Sequence, residues 1–558
     1  MHLYEQTFLF TDLLGGWHLA AGSLAKMLDS NSSLLAHRVQ NAALLFLSLA
    51  LLPLDSIILF LSLILRAILP SRVERHRRDA RQEHGFQPHT VLVTGVGMTK
   101  GLALARLFYQ AGHDVVGADF EPDGAPVCGR VSRSVKKFYS LEMPIRKRDA
   151  PPGSPSPHMY IQQLLDIVTR EKVDLWVSCS GVASAIEDGM AKEVLESRTS
   201  CKAIQFDVRT TQRLHEKHSF IQHTRDTVGL RVPETHEITS RAAAERILRD
   251  TPAAGREYIM KPIGVDDAAR ADMTLLPRAS AVDTAKHIAR LKISETSPWI
   301  LQQYIRGREY CTHSLVVDGR VKAFVACPSA ELLMHYEALP FESPLSLAML
   351  DFTTRYAAKG GGGGGGHKRD FTGHLSFDFM VEEEDERADS PESITLYPIE
   401  CNPRAHTAVV LFDGTTEMVD AYFSSLEPDN SDDSSDANSN STGTNMTPDP
   451  SPSPVVHPRR LHDKYFWLGH DLVTRVVLST LSLLPLASPS ASIPAILQNY
   501  AVFLTRLFTW RDGTYQLWDP QPWWWLYHVY WPVRFWRCLV QGKKWSRLNV
   551  STTKMFEC

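Results

Sequence analysis

A chain of 558 residues, 44% hydrophobic and 22% charged, is long enough to bury several cores, and two or three domains are expected. Its net charge of −4 gives no electrostatic basis for nucleic acid as the main partner, which leaves small molecules and membranes. The eight cysteines, Cys128, Cys179, Cys201, Cys311, Cys327, Cys401, Cys538 and Cys558, form no CxxC pair and no cluster. Neither a zinc finger nor a disulfide framework is expected, and the thiols read as reduced and facing the cytosol.

After an N-terminal segment (1–41), residues 42–70 form a hydrophobic membrane segment. The run AALLFLSLALLPLDSIILFLSLILRAIL, Ala42 to Leu69, exceeds the about 20 apolar residues that span a bilayer. Pro53 removes a helix donor, and Asp55 would cost about 2.5–3.5 kcal/mol at the centre of a span. A second arrangement is therefore a hairpin of two shorter helices joined at Leu52 to Ser56, with Asp55 near a polar surface. A third is an apolar helix packed on a soluble domain. The basic cluster Arg72, Arg75, Arg77, Arg78 and Arg81 follows at once, places the rest of the chain in the cytosol, and can bind anionic headgroups.

TVLVTGVGMTKGLALARLFYQAGHDVVGADF, Thr90 to Phe120, reads as strand, glycine turn, helix and strand. Leu102, Ala105, Leu107 and Phe108 mark the buried helical face, and Gly112 stops the helix. Gly95, Gly97 and Asp119 imitate a dinucleotide fingerprint, so an NAD(P)-dependent Rossmann enzyme is one reading. The spacing is GxGxxxG, however, and no dehydrogenase Tyr/Lys pair accompanies it.

Four later blocks follow in order. RLHEKHSFIQHTRDTVGLRVP places Lys217 at the start of a helix, and YIMKPIG presents Lys261 from a strand. WILQQYIRGREYCTHSLVVDGRVKAFVAC gives a strand, a turn at Arg306 to Gly307, Glu309, and a hairpin turned at Asp318 to Gly319. GHLSFDFMVEE carries Asp378, and YPIECNPRAHTAVV carries Glu400, Asn402 and Arg404, three alternating positions expected to share one face of a strand. Carboxylate and amide oxygens suit Mg²⁺, and a guanidinium forks onto phosphate or carboxylate.

This ordered set resembles the ATP-grasp superfamily over residues 88–415. The resemblance implies a Rossmann-like α/β pre-ATP-grasp domain (88–207), then a two-lobed α+β ATP-grasp domain (208–425). It implies ATP and Mg²⁺, or Mn²⁺, as cofactors. Lys217 and Lys261 would hold phosphates, Glu309 the ribose, Gln303 the adenine hinge, and Asp378, Glu400 and Asn402 the metal. Arg404 and Lys261 are the catalytic candidates, with His406 behind them. A glycine-rich covering loop is missing after Lys261, where IGVDDAARADMTLLP stands, and Arg270 is the substitute clamp. Gly360 to Gly366 read as an expanded flexible loop.

The stretches GMTKGLALARLFYQAGHDVVGAD, YIMKPIGVDDAARADMTLLP, YIRGREYCTHS and IECNPRAHTAV look most like the mycosporine-glycine synthetase type, which joins an amino acid to the cyclohexenone 4-deoxygadusol using ATP. The resemblance thus implies an ADP-forming carbon–nitrogen ligase of secondary metabolism, with a small-molecule acceptor and an amino acid as substrates. A catalytically silent membrane scaffold is the remaining alternative. The polar runs EEEDERADSPES and, within a linker at 426–456, EPDNSDDSSDANSNSTGTNMTPDPSPSPVV are expected to be disordered. Residues 457–558 read as helical, and their tryptophans with basic residues suit either a membrane interface or packing on the grasp domain.

Overall fold

The computed structural model describes residues 28, 32–69, 71–144, 157–250, 256–262, 272–329, 334–360, 371–427, 454–482 and 492–558. Arg270, positions 361–366 of the glycine run and linker residues 428–453 lie outside the described residues.

The first sheet contains β1 (Thr90–Thr94), β2 (Asp114–Phe120), β3 (Lys137–Leu141), β4 (Leu175–Ser178) and β5 (Lys202–Ile204) in the order β3-β2-β1-β4-β5. Every pairing is parallel. Side chains alternate across a strand. Val91 and Val93 therefore enter the largest core with Leu104 and Phe108, while Leu92 enters another with Tyr160, Leu164 and Trp176. Burial on both faces explains why these strands read as unbroken apolar runs.

Two antiparallel sheets follow. β6 (Thr235–Ile238), β7 (Tyr258–Pro262) and β8 (Trp299–Gln303) pair in the order β6-β8-β7, and the helices Arg241–Asp250 and Ala281–Arg290 help to close a separate core around Ile238, Tyr258, Ile288 and Leu301. β9 (Gly307–Val317) and β10 (Arg320–Pro328) form a hairpin whose turn has Asp318 at φ 52° and Gly319 at φ 72°. Asp-Gly with both φ values positive is the chemistry of a two-residue hairpin turn. After β11 (His335–Glu337), β12 (Gly373–Glu382) and β13 (Leu396–Asn402) complete the order β10-β9-β12-β13. The helix Pro344–Gly360 sends Met349, Phe352 and Tyr356 against Phe377 and Phe379 on one face of this sheet.

The C-terminal residues complete this body. β14 (Lys464–Phe466) pairs with β11 and with β15 (Arg511–Asp512), and β16 (Trp545–Asn549) pairs with β17 (Lys554–Glu557). Trp467, Trp531 and Trp545 are buried in the same core as Val91 and Cys311. Arg106 of the first helix after β1 donates through Nε to Asp519 Oδ2 at 2.9 Å, with both side chains almost completely buried. Ser132 Oγ and the Arg133 N–H complete the carboxylate's shell at 2.6 and 2.8 Å.

Four expectations change. Residues 457–558, expected to be helical, also hold the strands β14 to β17. The apolar segment is one continuous helix, Leu34–Ile68, with Pro53 inside it, and therefore no hairpin. The acidic run Glu382 to Ser393 is ordered by contacts rather than disordered. Asp385 accepts from the Thr395 N–H at 2.8 Å, and Tyr310 donates its hydroxyl to Glu386 at 3.1 Å. The end of the linker is structured as well: Val456 exchanges backbone hydrogen bonds with Lys322 and Phe324 at 2.9 Å each, so it extends the edge of β10.

Candidate active site

The second antiparallel sheet aligns a row of side chains across its four strands. The register sets Cys327 of β10 opposite Cys311 of β9, Cys311 opposite Asp378 of β12, and Asp378 opposite Glu400 of β13. Directly opposed residues share a face, so two thiols run into two carboxylates. A bulge breaks the register between Asp378 and Phe379, with Ile399 as the extra residue. A bulge re-aims the side chains beside it. Asn402, two residues past Glu400, donates through Nδ2 to Asp378 Oδ2 at 3.2 Å. Its Oδ1 is buried with no hydrogen-bond partner among the described residues.

Cations reach this row from elsewhere in the chain. Lys217 opens its helix, as expected, and its Nζ lies 2.7 Å from Glu400 Oε2. Lys261 leaves β7 and donates to Gln302 Oε1 at 3.0 Å. Burial lowers its ammonium pKa to about 8, reinforced by Lys217 and opposed by Glu400 and Glu309, which places all four groups in one electrostatic neighbourhood. Burial raises the Asp378 carboxyl well above the ordinary range, with Glu400 and Glu309 adding to the effect. Burial acts the same way on Glu400, but Lys217, Arg404 and His215 outweigh it and hold that carboxyl below its usual value. The pair is therefore split into one carboxyl that resists ionisation and one that keeps its charge.

Arg404 is not part of the strand. β13 stops at Asn402, Pro403 follows, and the Arg404 N–H turns back to the Asn402 carbonyl at 2.8 Å. A proline cannot donate to a ladder, so the expected three-residue row ends one member early. The guanidinium still acts on Glu400 and Asp378. His406 accepts from the Ala408 N–H through Nδ1 at 3.3 Å, and burial with the nearby Arg404 and Lys100 lowers its pKa to about 3. It is a neutral imidazole. One ligand atom each from Cys311, Asp378 and His406 lies within 4.8 Å of the others.

Two further positions are engaged differently. Glu309 accepts the Ser329 hydroxyl at 2.7 Å and is exposed. Gln303 uses its side-chain oxygen to accept the Glu234 N–H at 3.2 Å, so its amide staples β8 to the entry of β6. Arg270 lies outside the described residues.

The glycine turn after β1 is not an open phosphate cradle. Residues 91–100 are all buried. Asp119 spends its carboxylate on the Gly97 N–H at 2.6 Å, and the Thr99 N–H donates to the Ser551 carbonyl at 2.8 Å. A Cβ at Gly97 would lie 2.6 Å from Val127 Cβ. The fingerprint acid therefore closes the turn itself, and the C-terminal chain covers the helix start where a pyrophosphate would sit.

The same turn supplies a residue missed by motif reading. Lys100 Nζ donates to the carbonyls of Ser180 at 3.2 Å and Ala405 at 3.1 Å, and burial with the Arg404 charge lowers its pKa to about 7. It ties the parallel sheet to the turn bearing Arg404. Its only signal is a lysine inside an otherwise apolar glycine-helix segment. A cavity of about 530 Å³ lies elsewhere, bounded by Ile58, Asp413, Leu507, Trp510 and Trp518.

No protein-family model and no curated protein matches the chain. Among solved structures, the chain is similar to the L-amino acid ligase from Bacillus licheniformis, with 12% identity over 57% of this chain and 67% of that one and a TM-score of 0.35. It is also similar to a biotin carboxylase from Campylobacter jejuni, with 13% identity over 61% and 71% and a TM-score of 0.39. A carboxyaminoimidazole ribonucleotide synthase from Aspergillus clavatus gives 12% identity over 57% and 71%, with a TM-score of 0.36.

Proposed function

We propose that this chain is an ATP-grasp carbon–nitrogen ligase that consumes ATP with Mg²⁺ and releases ADP and phosphate. The observation that carries this reading is the meeting of Lys217, Lys261, Glu309, Asp378, Glu400 and Asn402 in one electrostatic neighbourhood, from segments far apart in the chain.

The donor set fits a hard divalent cation. Asp378 and Glu400 repel each other, and Asn402 keeps a buried oxygen with no partner among the described residues. Asp378, Glu400 and Asn402 would hold Mg²⁺, and Mn²⁺ suits the same oxygens. The ion, when bound, neutralises charge on the phosphate oxygens. Lys217 and Lys261 bind and orient the triphosphate, and Glu309 takes the ribose hydroxyls. Backbone groups at the end of β8 hold the adenine, since the Gln303 side chain is already engaged. Arg404 orients the transferred phosphoryl group or a substrate carboxylate.

The acceptor oxygen, either a carboxylate or a cyclohexenone enol, attacks the γ-phosphorus and ADP leaves. The amine of an amino acid then displaces phosphate and loses a proton. Positioning and electrostatic stabilisation carry most of this chemistry, so no side-chain nucleophile is required. The mycosporine-glycine synthetase type remains the finer reading, on its sequence resemblance. The catalytic body works on the cytosolic side of a membrane, without nucleic acid as a partner.

Purified full-length chain is expected to release ADP and phosphate only when acceptor and amino acid are both present. A screen of amino acids against 4-deoxygadusol and simple carboxylates reads this out. AMP and pyrophosphate as products would refute the mechanism.

A further inference from the structure

The helix Leu34–Ile68 has 35 residues, or about 50 Å at 1.5 Å per residue, against a hydrocarbon core of about 30 Å. Its polar side chains recur at His37, Asn41, Ser48, Asp55 and Ser62, steps of four and seven that keep them on one face. That face is not free. Asn41 Oδ1 accepts from Trp545 Nε1 at 2.9 Å, and Ser48 Oγ donates to the Tyr527 carbonyl at 2.9 Å. Asp55 meets His528 Nε2 at 2.8 Å, and Ser56 accepts from Trp524 Nε1 at 3.1 Å. Ser62 bonds the Tyr515 hydroxyl at 2.7 Å, and Arg66 reaches the Trp518 carbonyl at 3.4 Å. The partnered stretch from Asn41 to Arg66 alone covers about 37 Å. A perpendicular span would therefore drag the whole folded body through the bilayer.

The opposite face is apolar and open. Leu35, Val39, Phe46, Leu49, Ile57, Phe60 and Ile68 are each 56–72% exposed. The exposed apolar area is on the order of 1,000 Å², beyond the few hundred typical of a soluble monomer. The helix Ile493–Thr509 adds Ile493, Leu497 and Phe508, and the helix Trp531–Gln541 adds Trp536 and Val540. Ile58 and Leu507 line one cleft, so the first two helices are neighbours. The basic helix Arg72–Gln82 follows directly, with Arg72, Arg75 and Arg78 exposed. Charge of that sign next to an apolar face suits the anionic headgroups of a lipid surface.

We propose that the helix Leu34–Ile68 does not span a membrane but lies in the plane of one leaflet, with its polar stripe fastened to the C-terminal region and its apolar face in lipid. Both ends of the helix then stay on the same side. The arrangement stands whether or not the chain turns over ATP.

The test uses the full chain with vesicles of phosphatidylcholine containing one-third phosphatidylserine. A double variant, Ser33→Cys with Arg72→Cys in a Cys558→Ser background, is treated with a membrane-impermeant maleimide and weighed. Molecules labelled at both sites or at neither are expected, whereas predominantly single labelling means a span and overturns the proposal. A second variant, Phe46→Glu with Leu49→Glu, Ile57→Glu and Phe60→Glu, is expected to keep the wild-type melting temperature and lose at least tenfold in vesicle co-flotation. Undiminished flotation of that variant overturns the proposal. So does a wild-type chain that stays in the buffer, whether as a dimer closed on this face or as a monomer.

Discussion

Asp378 is a carboxyl whose charged form is disfavoured by burial and by Glu400 and Glu309. Its carboxyl is raised by burial, Glu400 and Glu309, so the folded state binds a proton more tightly than the unfolded chain. Such a group loses stability as pH rises above its ordinary value of 3.8. Asp378→Asn is therefore expected to stabilise the metal-free protein at neutral pH by about 0.5–2 kcal/mol in thermal melts, while cutting ADP formation at least about 100-fold. Lys261 gives the opposite handle. Its ammonium is charged below about 8 and neutral above, so kcat/KM for ATP should fall as pH rises through about 8. Lys261→Arg should move that limb upward. At this scale the residue types were legible from their spacing, but their partners were not. Asp119 carried a dinucleotide signal in sequence and in the fold closes its own glycine turn. Lys100 carried none, because its partners Ser180 and Ala405 are distant in the chain.

Among the elements, β12 and β13 build the floor of the site, and their pairing is where reading by alternation partly fails. Alternation placed Glu400 and Asn402 together, which holds, since both act on Asp378. It also placed Arg404 with them, but a strand cannot continue through Pro403 with its ladder intact. The bulge at Ile399 has one local signal, Pro398 beside it, because a proline inside a strand is confined to edges and bulges. The acidic turn between these strands misled by composition: Glu382 to Ser393 looks solvated, yet Asp385 and Glu386 are spent on Thr395 and Tyr310. Between elements, the Arg106–Asp519 pair fastens the helix after β1 to the C-terminal region. Asp519→Ala strands a buried guanidinium and should cost about 3–5 kcal/mol, read as a lowered melting temperature of the whole chain.

The whole molecule reads as a parallel sheet, two antiparallel sheets and a tryptophan-rich C-terminal region that covers the first sheet's glycine turn. The strand–helix–strand unit at Thr90 to Phe120 is legible in its apolar runs and glycines, and the β9–β10 hairpin in Asp318 and Gly319. Composition leaves the C-terminal region between a membrane interface and packing on the folded body, and only the long-range burial of Trp467, Trp531 and Trp545 separates the two. The same region takes the polar stripe of the helix Leu34–Ile68, which is why a segment that passes for a span on composition holds Asp55 against His528. The proposed membrane seat thus depends on residues after position 457. The direct test of the central claim is calorimetric titration of ATP into the full-length wild type and Glu400→Gln, each with and without Mg²⁺. Binding that requires Mg²⁺ and weakens at least about tenfold in the variant is predicted. Absence of binding to the wild type, or equal Mg²⁺-dependent affinity in both proteins, would contradict a Mg-ATP site on this carboxylate row.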